Sequence, residues 1–222
     1  MNGTKAISAV LLLAVVLGAG SCSRWHVRED WSLALAGGDD LLSTGLIGWQ
    51  QIGGAQGTWC FRDGILSTEG QAGGWLATLR QYDDFRLSLQ FRVSPGGNSG
   101  VFIRSPLEGD PAYAGMEIQI LDDYAEQWRD LSPHQYTGSI YDVQAPSERA
   151  TKQAEQWQTM VITARGTRIK VALNGRKIVD TDVTYYPYKA DVHPGLMRDG
   201  GYIGLQSHGS RVEFRNVRIR GL

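Results

Sequence analysis

The sequence has little cysteine, little proline and almost no net charge. Its 222 residues include two Cys and seven Pro, and 22 Lys and Arg are balanced by 23 Asp and Glu. Two cysteines exclude a scaffold held by several disulfides. The balanced charge argues against nucleic acid as the main partner, because phosphate binding needs a basic surplus. By contrast, 28 Gly, seven Trp and nine Tyr supply turns and stacking surfaces, a composition that suits a β protein with a single domain.

The first 21 residues have the pattern of an export signal. Lys5 supplies a positive charge, the apolar run Ala6–Leu17 is too short to span a bilayer, and small residues then precede Cys22. This end resembles the lipobox of bacterial lipoproteins, so we expect cleavage before Cys22 and lipidation of its thiol. Ordinary signal-peptide cleavage nearby is the alternative. The other cysteine, Cys60, lies between Trp59 and Phe61, which predicts a buried structural thiol.

These features predict how the chain is organised and where it resides. Residues 1–21 form the signal peptide, 22–45 a linker with the start of the domain, and 46–222 one β-sandwich domain. The predicted location is that of an exported bacterial lipoprotein, facing the periplasm or the outer surface. Its contact with the membrane is then through the lipid anchor alone.

Hydrophobic alternation and turn pairs predict an all-β fold. Phe85–Val93 alternates apolar and polar residues with a period of two, and the Asp63-Gly64 and Asn174-Gly175 pairs separate short apolar runs. In the last segment the apolar parity changes, which predicts a bulge near Arg215-Asn216. No amphipathic helix of ordinary length is present, so we predict a two-sheet antiparallel sandwich. The polar segment 122–156 is the exception, and we expect a functional loop there, with a mobile surface excursion as the alternative.

The same alternation locates a polar face on the predicted sheet. Three strands place apolar side chains in the core and direct the residues between them outward. The outward residues are Phe102 and Arg104, Glu117 and Gln119, and Tyr202, Gln206 and His208. If the three strands are neighbours, this face can bind a polar ring such as a sugar. An ordinary solvated face with an Arg104–Glu117 ion pair is the alternative.

Several segments together resemble one known family. They are Asn98–Arg104, Tyr113–Asp122, Gln135–Tyr141, Gly204–Gly209 and Phe214–Ile219. Their number and order are similar to the signature of the 3-keto-disaccharide hydrolase family. The resemblance implies a concanavalin A-like jelly roll that hydrolyses glycosides already oxidised to a ketone at C3. It also implies an upstream sugar 3-oxidoreductase that makes this substrate. Tyr141-Asp142 departs from the Tyr-Gly that many relatives have.

Chemistry on such a substrate assigns roles to these residues. A ketone at C3 acidifies the C2 proton, so a base can start β-elimination of the C1 oxygen, after which water adds at C1. Glu117 is the first candidate base, His134 or His208 can act as base or acid, and Arg104 suits the enolate oxygen. Substrate-binding candidates are Asn98, Gln119, Asp122, Tyr136, Tyr141 and Gln206. His193 is expected at the surface. No cofactor is expected, and no metal is assigned to Asp122-Asp123.

Two other function classes remain open. A noncatalytic carbohydrate-binding module can have the same fold, because fold alone does not establish function. A laminarinase-type endo-glucanase is the third possibility. The sequence pattern of that class is a series of carboxylates that alternate along one strand. Here Gln119 replaces the middle carboxylate, and no second Glu follows at the expected place. The sequence therefore favours the keto-sugar hydrolase.

Overall fold

The computed structural model describes residues 37–68 and 72–222 of the chain, and the predicted signal peptide and Cys22 lie outside these residues. The described residues form thirteen strands and one short helix. The strands are β1 Asp39–Asp40, β2 Trp49–Ile52, β3 Trp59–Arg62, β4 Ile65–Thr68, β5 Ala72–Tyr82, β6 Phe85–Val93, β7 Asn98–Ser105, β8 Met116–Leu121, β9 Gln158–Arg165, β10 Arg168–Leu173, β11 Arg176–Asp182, β12 Gly201–His208 and β13 Val212–Gly221. The helix α1 is Pro111–Ala114, and short 3₁₀ turns occupy Glu126–Trp128, Pro133–Gln135, Val183–Tyr185, Pro187–Lys189 and Pro194–Met197.

Two antiparallel sheets face each other, which confirms the predicted all-β sandwich. One sheet has eight strands in the order β11-β10-β9-β6-β13-β4-β3, with β1 also paired to β13. The other has five strands in the order β2-β5-β12-β7-β8. Within the described part of the chain, no helix is long and apolar enough to cross a membrane.

The core lies between the two sheets and follows from the alternation seen in the sequence. In β6 the side chains of Phe85, Leu87, Leu89 and Phe91 are completely buried, and they pack with residues of β7, β8 and β12 in the same apolar cluster. Each such side chain contributes roughly 1.5–3 kcal/mol through burial. This burial fixes which residues of β7, β8 and β12 remain on the opposite face of the smaller sheet.

Left-handed backbone positions set the tight turns where the sequence predicted them. Asp63 and Gly64 have φ of 52° and 76°, and Asn174 and Gly175 have φ of 51° and 83°. Two successive positive φ angles are typical of the type I′ turns that join hairpin strands. The predicted bulge is also confirmed, because the β13–β6 register shifts between Arg215 and Arg218.

The three strands expected to form the polar face are adjacent. β7 lies between β12 and β8, with Gly204 opposite Phe102 and Phe102 opposite Glu117. The loop after β8 folds back along the free edge of that strand. Gly138 N donates to Gln119 O and Tyr141 N donates to Glu117 O, both at 2.9 Å. The loop thereby covers an exposed strand edge and brings Tyr141 to the polar face.

Part of this face is apolar rather than polar. Trp75, Ala77, Phe102 and Ala112 form a second buried cluster beneath α1, with the rings of Trp75 and Phe102 edge to face at 5.4 Å. The side chain of Phe102 is therefore directed to the expected face but is only 2 % exposed. On the other sheet, Cys60 is half-buried, so the expectation of a buried thiol is wrong; it lines an open surface depression with Arg62.

Candidate active site

A cavity of about 180 Å³ opens on the face of the smaller sheet that points away from the core. It is lined by Asn98, Asp110, Ala112, Tyr113, Glu117, Gln119, Tyr141, Gln206 and His208. Sites for drug-sized ligands occupy roughly 300–1,000 Å³. The cavity is therefore smaller than such sites, and its volume suits a single six-membered ring.

Glu117 lies at the bottom of this cavity with its carboxyl group almost removed from water. The residue is 5 % exposed, and Gly100 leaves the space it occupies, since an added Cβ at Gly100 would be 2.7 Å from the carboxyl carbon. Burial, with a smaller contribution from the negative charge of Asp110, raises the pKa of Glu117 from 4.5 to about 8. The group can therefore take up or release a proton near neutral pH.

Two amide oxygens beside Glu117 are buried and have no hydrogen-bond partner among the described residues: Asn98 Oδ1 and Gln206 Oε1. The strands that carry them are tied together, because Ser99 Oγ donates to the Gln206 carbonyl at 2.8 Å. Burying an acceptor without a donor costs about 1–3 kcal/mol. A ligand with hydroxyl groups would supply the missing donors.

Gln119 offers the complementary group. Its Oε1 accepts a hydrogen bond from Ile120 N at 3.0 Å, which fixes the orientation of the amide. The Nε2 amino group is then the part of this side chain left to donate to a ligand. The cavity thus combines hydrogen-bond acceptors, an amide donor and one buried carboxyl group.

An aromatic pair forms one side of the cavity. Tyr113 belongs to α1, whose N-terminus is capped by Asp110, with Oδ1 accepting from Ala112 N at 3.0 Å. The Tyr113 ring meets the Tyr141 ring edge to face at 6.4 Å, and Gln135 Nε2 donates to the Tyr141 hydroxyl at 2.9 Å. Burial raises the pKa of Tyr113, with smaller effects from neighbouring groups including Tyr141.

His193 lies behind Tyr113, so the expectation of a surface histidine is wrong. Its ring is 4.5 Å from the Tyr113 ring, and the residue is 2 % exposed. Burial lowers the pKa of His193, which favours the neutral imidazole. His193 N donates to Lys189 O at 2.7 Å, and the following Gly195 packs so tightly on Gly115 that a Cβ would overlap its backbone.

The expectation that Arg104 shares the polar face is wrong. It is 1 % exposed, and its guanidinium donates to the carbonyl oxygens of Asp83, Gly166 and Arg198 at 2.8–3.2 Å and to Asp84 Oδ1 at 3.2 Å. No ion pair with Glu117 forms. The reason is the Arg104 backbone, whose φ of 52° breaks the alternation of the strand.

Three further candidates organise the long loop and do not line the cavity. Asp122 Oδ2 accepts from Gly96 N at 2.9 Å, and the Tyr136 hydroxyl donates to Trp128 O at 2.9 Å. His134 is half-buried with Nδ1 3.2 Å from Ser132 Oγ. These contacts hold loop segments to one another, so all three residues stabilise the loop and do not line the cavity.

The structure therefore brings together six of the predicted site residues: Asn98, Glu117, Gln119, Tyr141, Gln206 and His208, the last of them exposed. Sequence reasoning missed Asp110, Ala112 and Tyr113. The Asp-Pro pair at 110–111 was the available signal, because Asp as N-cap and Pro at the first position are typical of a helix start. In the described residues no group of three or more His, Cys, Asp or Glu side chains could hold a metal ion.

Comparison with known proteins identifies the family of the chain. The family model for the 3-keto-alpha-glucoside-1,2-lyase-like domain matches residues 39–220. The chain is 24 % identical over 217 residues to the 3-keto-disaccharide hydrolase of Bacteroides thetaiotaomicron, covering 79 % of this chain and 74 % of that protein.

Solved structures give the same result at the level of the fold. A protein from Parabacteroides distasonis, described as a candidate glycosyl hydrolase, superposes with a TM-score of 0.75 at 29 % identity, covering 83 % of this chain and 98 % of that one. The carbohydrate binding module CBM66 from Bacillus subtilis superposes with a TM-score of 0.53 at 15 % identity, covering 78 % and 96 %; this likeness shows the sandwich fold alone. The chain therefore belongs to the 3-keto-disaccharide hydrolase family, and the family supports a function of the glycoside hydrolase type.

Proposed function

We propose that this protein cleaves glycosides whose sugar ring carries a ketone at C3. Cleavage proceeds by removal of the C2 proton, β-elimination of the C1 oxygen and addition of water at C1. The observation that carries the proposal is Glu117, a buried carboxyl group with a pKa of about 8 at the bottom of a cavity sized for one ring. The name of the Bacteroides relative supports the same substrate class.

The raised pKa of the buried carboxyl group suits it to the removal of a weakly acidic C2 proton. A C–H bond beside a ketone is only weakly acidic, so a base stronger than an ordinary carboxylate favours removal of the proton. General bases are most effective when their pKa lies near the working pH. Desolvation makes Glu117 such a base, and its conjugate acid then holds the proton that is returned to C2.

The polar groups around Glu117 orient the ring. A ketone oxygen only accepts hydrogen bonds, so the sugar hydroxyl groups are the donors for Asn98 Oδ1 and Gln206 Oε1. Because Arg104 is elsewhere, the enolate oxygen is stabilised by neutral donors lining the cavity, among them Gln119 Nε2. Preorganised donors in a water-poor site serve this purpose well.

A noncatalytic binding module is the alternative of different class. It accounts for the unpaired amide oxygens, but it gives no reason to bury a carboxyl group that would be more stable in water. A conventional glycosidase needs two carboxyl groups, and among the described lining residues the second is Asp110. Asp110 is exposed and caps α1, so we assign the chemistry to Glu117 alone.

The test uses 3-keto-trehalose and trehalose in D₂O. We expect cleavage of the keto substrate only, with one deuterium at C2 of the released 3-keto-glucose, followed by NMR and mass spectrometry. Free 3-keto-glucose incubated without enzyme measures background exchange, and Glu117→Gln is the inactive control. Cleavage of trehalose would contradict the elimination route, as would cleavage that shows neither deuterium at C2 nor a primary kinetic isotope effect with substrate deuterated at C2. Binding of the keto sugar without cleavage would identify a binding module.

We also propose the setting in which the reaction occurs. The signal-like segment before Cys22 supports export and anchoring through a lipid on that cysteine. An enzyme that oxidises sugars at C3 has to supply the substrate, because a ketone is absent from ordinary glycosides.

A further inference from the structure

We infer that Tyr113 donates the proton to the departing glycosidic oxygen and that His193 is its positioning residue. This inference rests on the proposed function and assigns the acid that the elimination needs. The sequence-based candidates for an acid were histidines, of which His134 does not line the cavity and His208 is exposed.

Tyr113 has the location and the free hydroxyl group that this role requires. It lines the same cavity as Glu117, and within the described residues its hydroxyl makes no hydrogen bond. Elimination breaks a C–H bond at C2 and a C–O bond at the adjacent C1, so base and acid must share one cavity. Burial raises the pKa of Tyr113, so the residue keeps its proton over the pH range in which Glu117 loses its own.

The other groups of the cavity are less suited to this step. The Tyr141 hydroxyl accepts a hydrogen bond from Gln135 Nε2, which fixes its orientation but leaves its proton available. Asp110 is exposed and engaged at the helix N-terminus. The amides of Asn98 and Gln119 have no proton acidic enough to transfer. Tyr113 and Tyr141 are both half-buried in the cavity lining, and Tyr113 is the one whose hydroxyl is not fixed by a neighbouring side chain.

The imidazole ring of His193 packs against the face of the Tyr113 ring. The two rings are 4.5 Å apart and inclined at 33°, and the Nε2 atom of His193 is buried without a hydrogen-bond partner among the described residues. Asp142, Lys189 and Asp110 are the charged groups that act on the imidazole. Since no hydrogen bond joins His193 to Tyr113, the contact fixes the plane of the ring and leaves its proton unaffected.

Together the two residues complete a balanced cycle. Glu117 takes the C2 proton, and the electron pair moves to the C3 oxygen. When this enolate collapses, a C1–C2 double bond forms, the C1–O bond breaks, and the Tyr113 proton goes to the departing oxygen. Water then adds across the double bond. Its hydroxyl group goes to C1, its proton restores Tyr113, and Glu117 returns a proton to C2.

The leaving group provides the test. Tyr113→Phe keeps the ring and removes the proton, so we expect kcat on 3-keto-trehalose to fall about 100-fold, a typical contribution of general acid catalysis. On 4-nitrophenyl 3-keto-α-glucoside kcat should change little, because nitrophenolate leaves without a proton. Tyr141→Phe is the matched control and should lack this leaving-group dependence.

The outcomes separate this inference from the proposed function. Parallel losses on both substrates, or no loss on either, would overturn the role of Tyr113 while the proposed function stands. A wild-type protein that cleaves neither keto substrate would overturn both.

His193 is tested by two substitutions with opposite expectations. His193→Phe preserves a flat ring against Tyr113 and should keep the wild-type ratio of the two kcat values. His193→Ala removes the support and should acquire the leaving-group dependence of Tyr113→Phe. If His193→Phe acquires it as well, the imidazole acts through its nitrogen atoms and the positioning role is wrong. Circular dichroism confirms that each variant is folded.

Discussion

Glu117 is held in an environment that opposes its ionisation. In the folded protein its pKa is about 8, against an ordinary value of 4.5. The folded state therefore keeps a proton that the unfolded chain releases as pH rises above 4.5. The stability contributed by this group is greatest below pH 4.5, falls between 4.5 and about 8, and is level above that range. At pH 7 the loss is of the order of 3 kcal/mol.

Replacing this carboxyl group should separate stability from activity. Glu117→Gln removes the cost of ionisation, so we expect a higher unfolding free energy than wild type at pH 8 and a smaller difference at pH 5. Turnover should fall by at least about 100-fold, because the base is lost. Urea unfolding at both pH values and a kinetic assay measure the two effects. Near-normal turnover would remove Glu117 from the role of base.

The pH profile should report the same group. We expect kcat/KM to rise with pH through a midpoint near pH 8 and to level off above it, since only the ionised carboxylate accepts the C2 proton. In Asp110→Asn the rise should move to lower pH, because the negative charge that contributes to the raised pKa is gone. Asn is also a good N-cap, so α1 should remain intact. An unchanged profile in this variant would contradict the coupling between the two carboxyl groups.

At the scale of the elements, Arg104 joins loops from three parts of the chain. Its guanidinium binds backbone carbonyls at residues 83, 166 and 198 together with the Asp84 carboxylate. Burial lowers the pKa of Arg104, partly opposed by nearby Asp84. Removing one partner of a buried charged network leaves the others without a donor, and this is strongly destabilising.

We therefore predict a structural effect for Arg104→Met. The unfolding free energy should fall by about 3–5 kcal/mol, while KM of the folded fraction stays close to the wild-type value. Arg129→Met is the matched control, because Arg129 forms only exposed ion pairs and should change stability by less than about 1 kcal/mol. Urea unfolding and substrate titration measure both quantities. A raised KM with unchanged stability would restore Arg104 to the site.

The elements also show what the sequence could predict. β6 and the turns at Asp63-Gly64 and Asn174-Gly175 follow from local patterns, because alternation and left-handed turn residues act within a few positions. That β12, β7 and β8 are neighbours could be assumed but not predicted from the sequence, because strand pairing depends on contacts between distant residues. Arg104 was predicted on the wrong face of the sheet, because the alternation of apolar and polar residues does not reveal that its φ angle is positive. His193 was missed because its burial depends on α1, which is distant in sequence.

At the scale of the whole molecule, the sandwich separates stability from recognition. The apolar faces of the two sheets form the core, whereas the outer face of the smaller sheet carries the cavity. α1 and the loops after β8 and β11 supply Tyr113, Tyr141 and His193 around it. If the proposed function is correct, the second sugar of a disaccharide lies outside this cavity.

The attachment of the whole chain is predicted from its first 22 residues. In a bacterial host, Cys22→Ala should abolish incorporation of labelled fatty acid and move the protein from the membrane fraction to the soluble fraction, since the lipid is the expected anchor. Cys60→Ala is the matched control and should leave both unchanged. Labelling that persists in Cys22→Ala would contradict the lipoprotein prediction.

Gly100 gives this protein an unusual vulnerability. Its φ lies outside the left-handed region, so the backbone does not require glycine; the Glu117 carboxyl group does, because it occupies the place of the missing side chain. The three heavy atoms nearest to the methyl group of Gly100→Ala would all belong to Glu117, so this substitution would force the carboxyl group to move. We expect such a variant to retain 3-keto-trehalose in equilibrium dialysis yet turn over very little of it. One added carbon atom would then be enough to convert an enzyme of this fold into a protein that only binds the sugar.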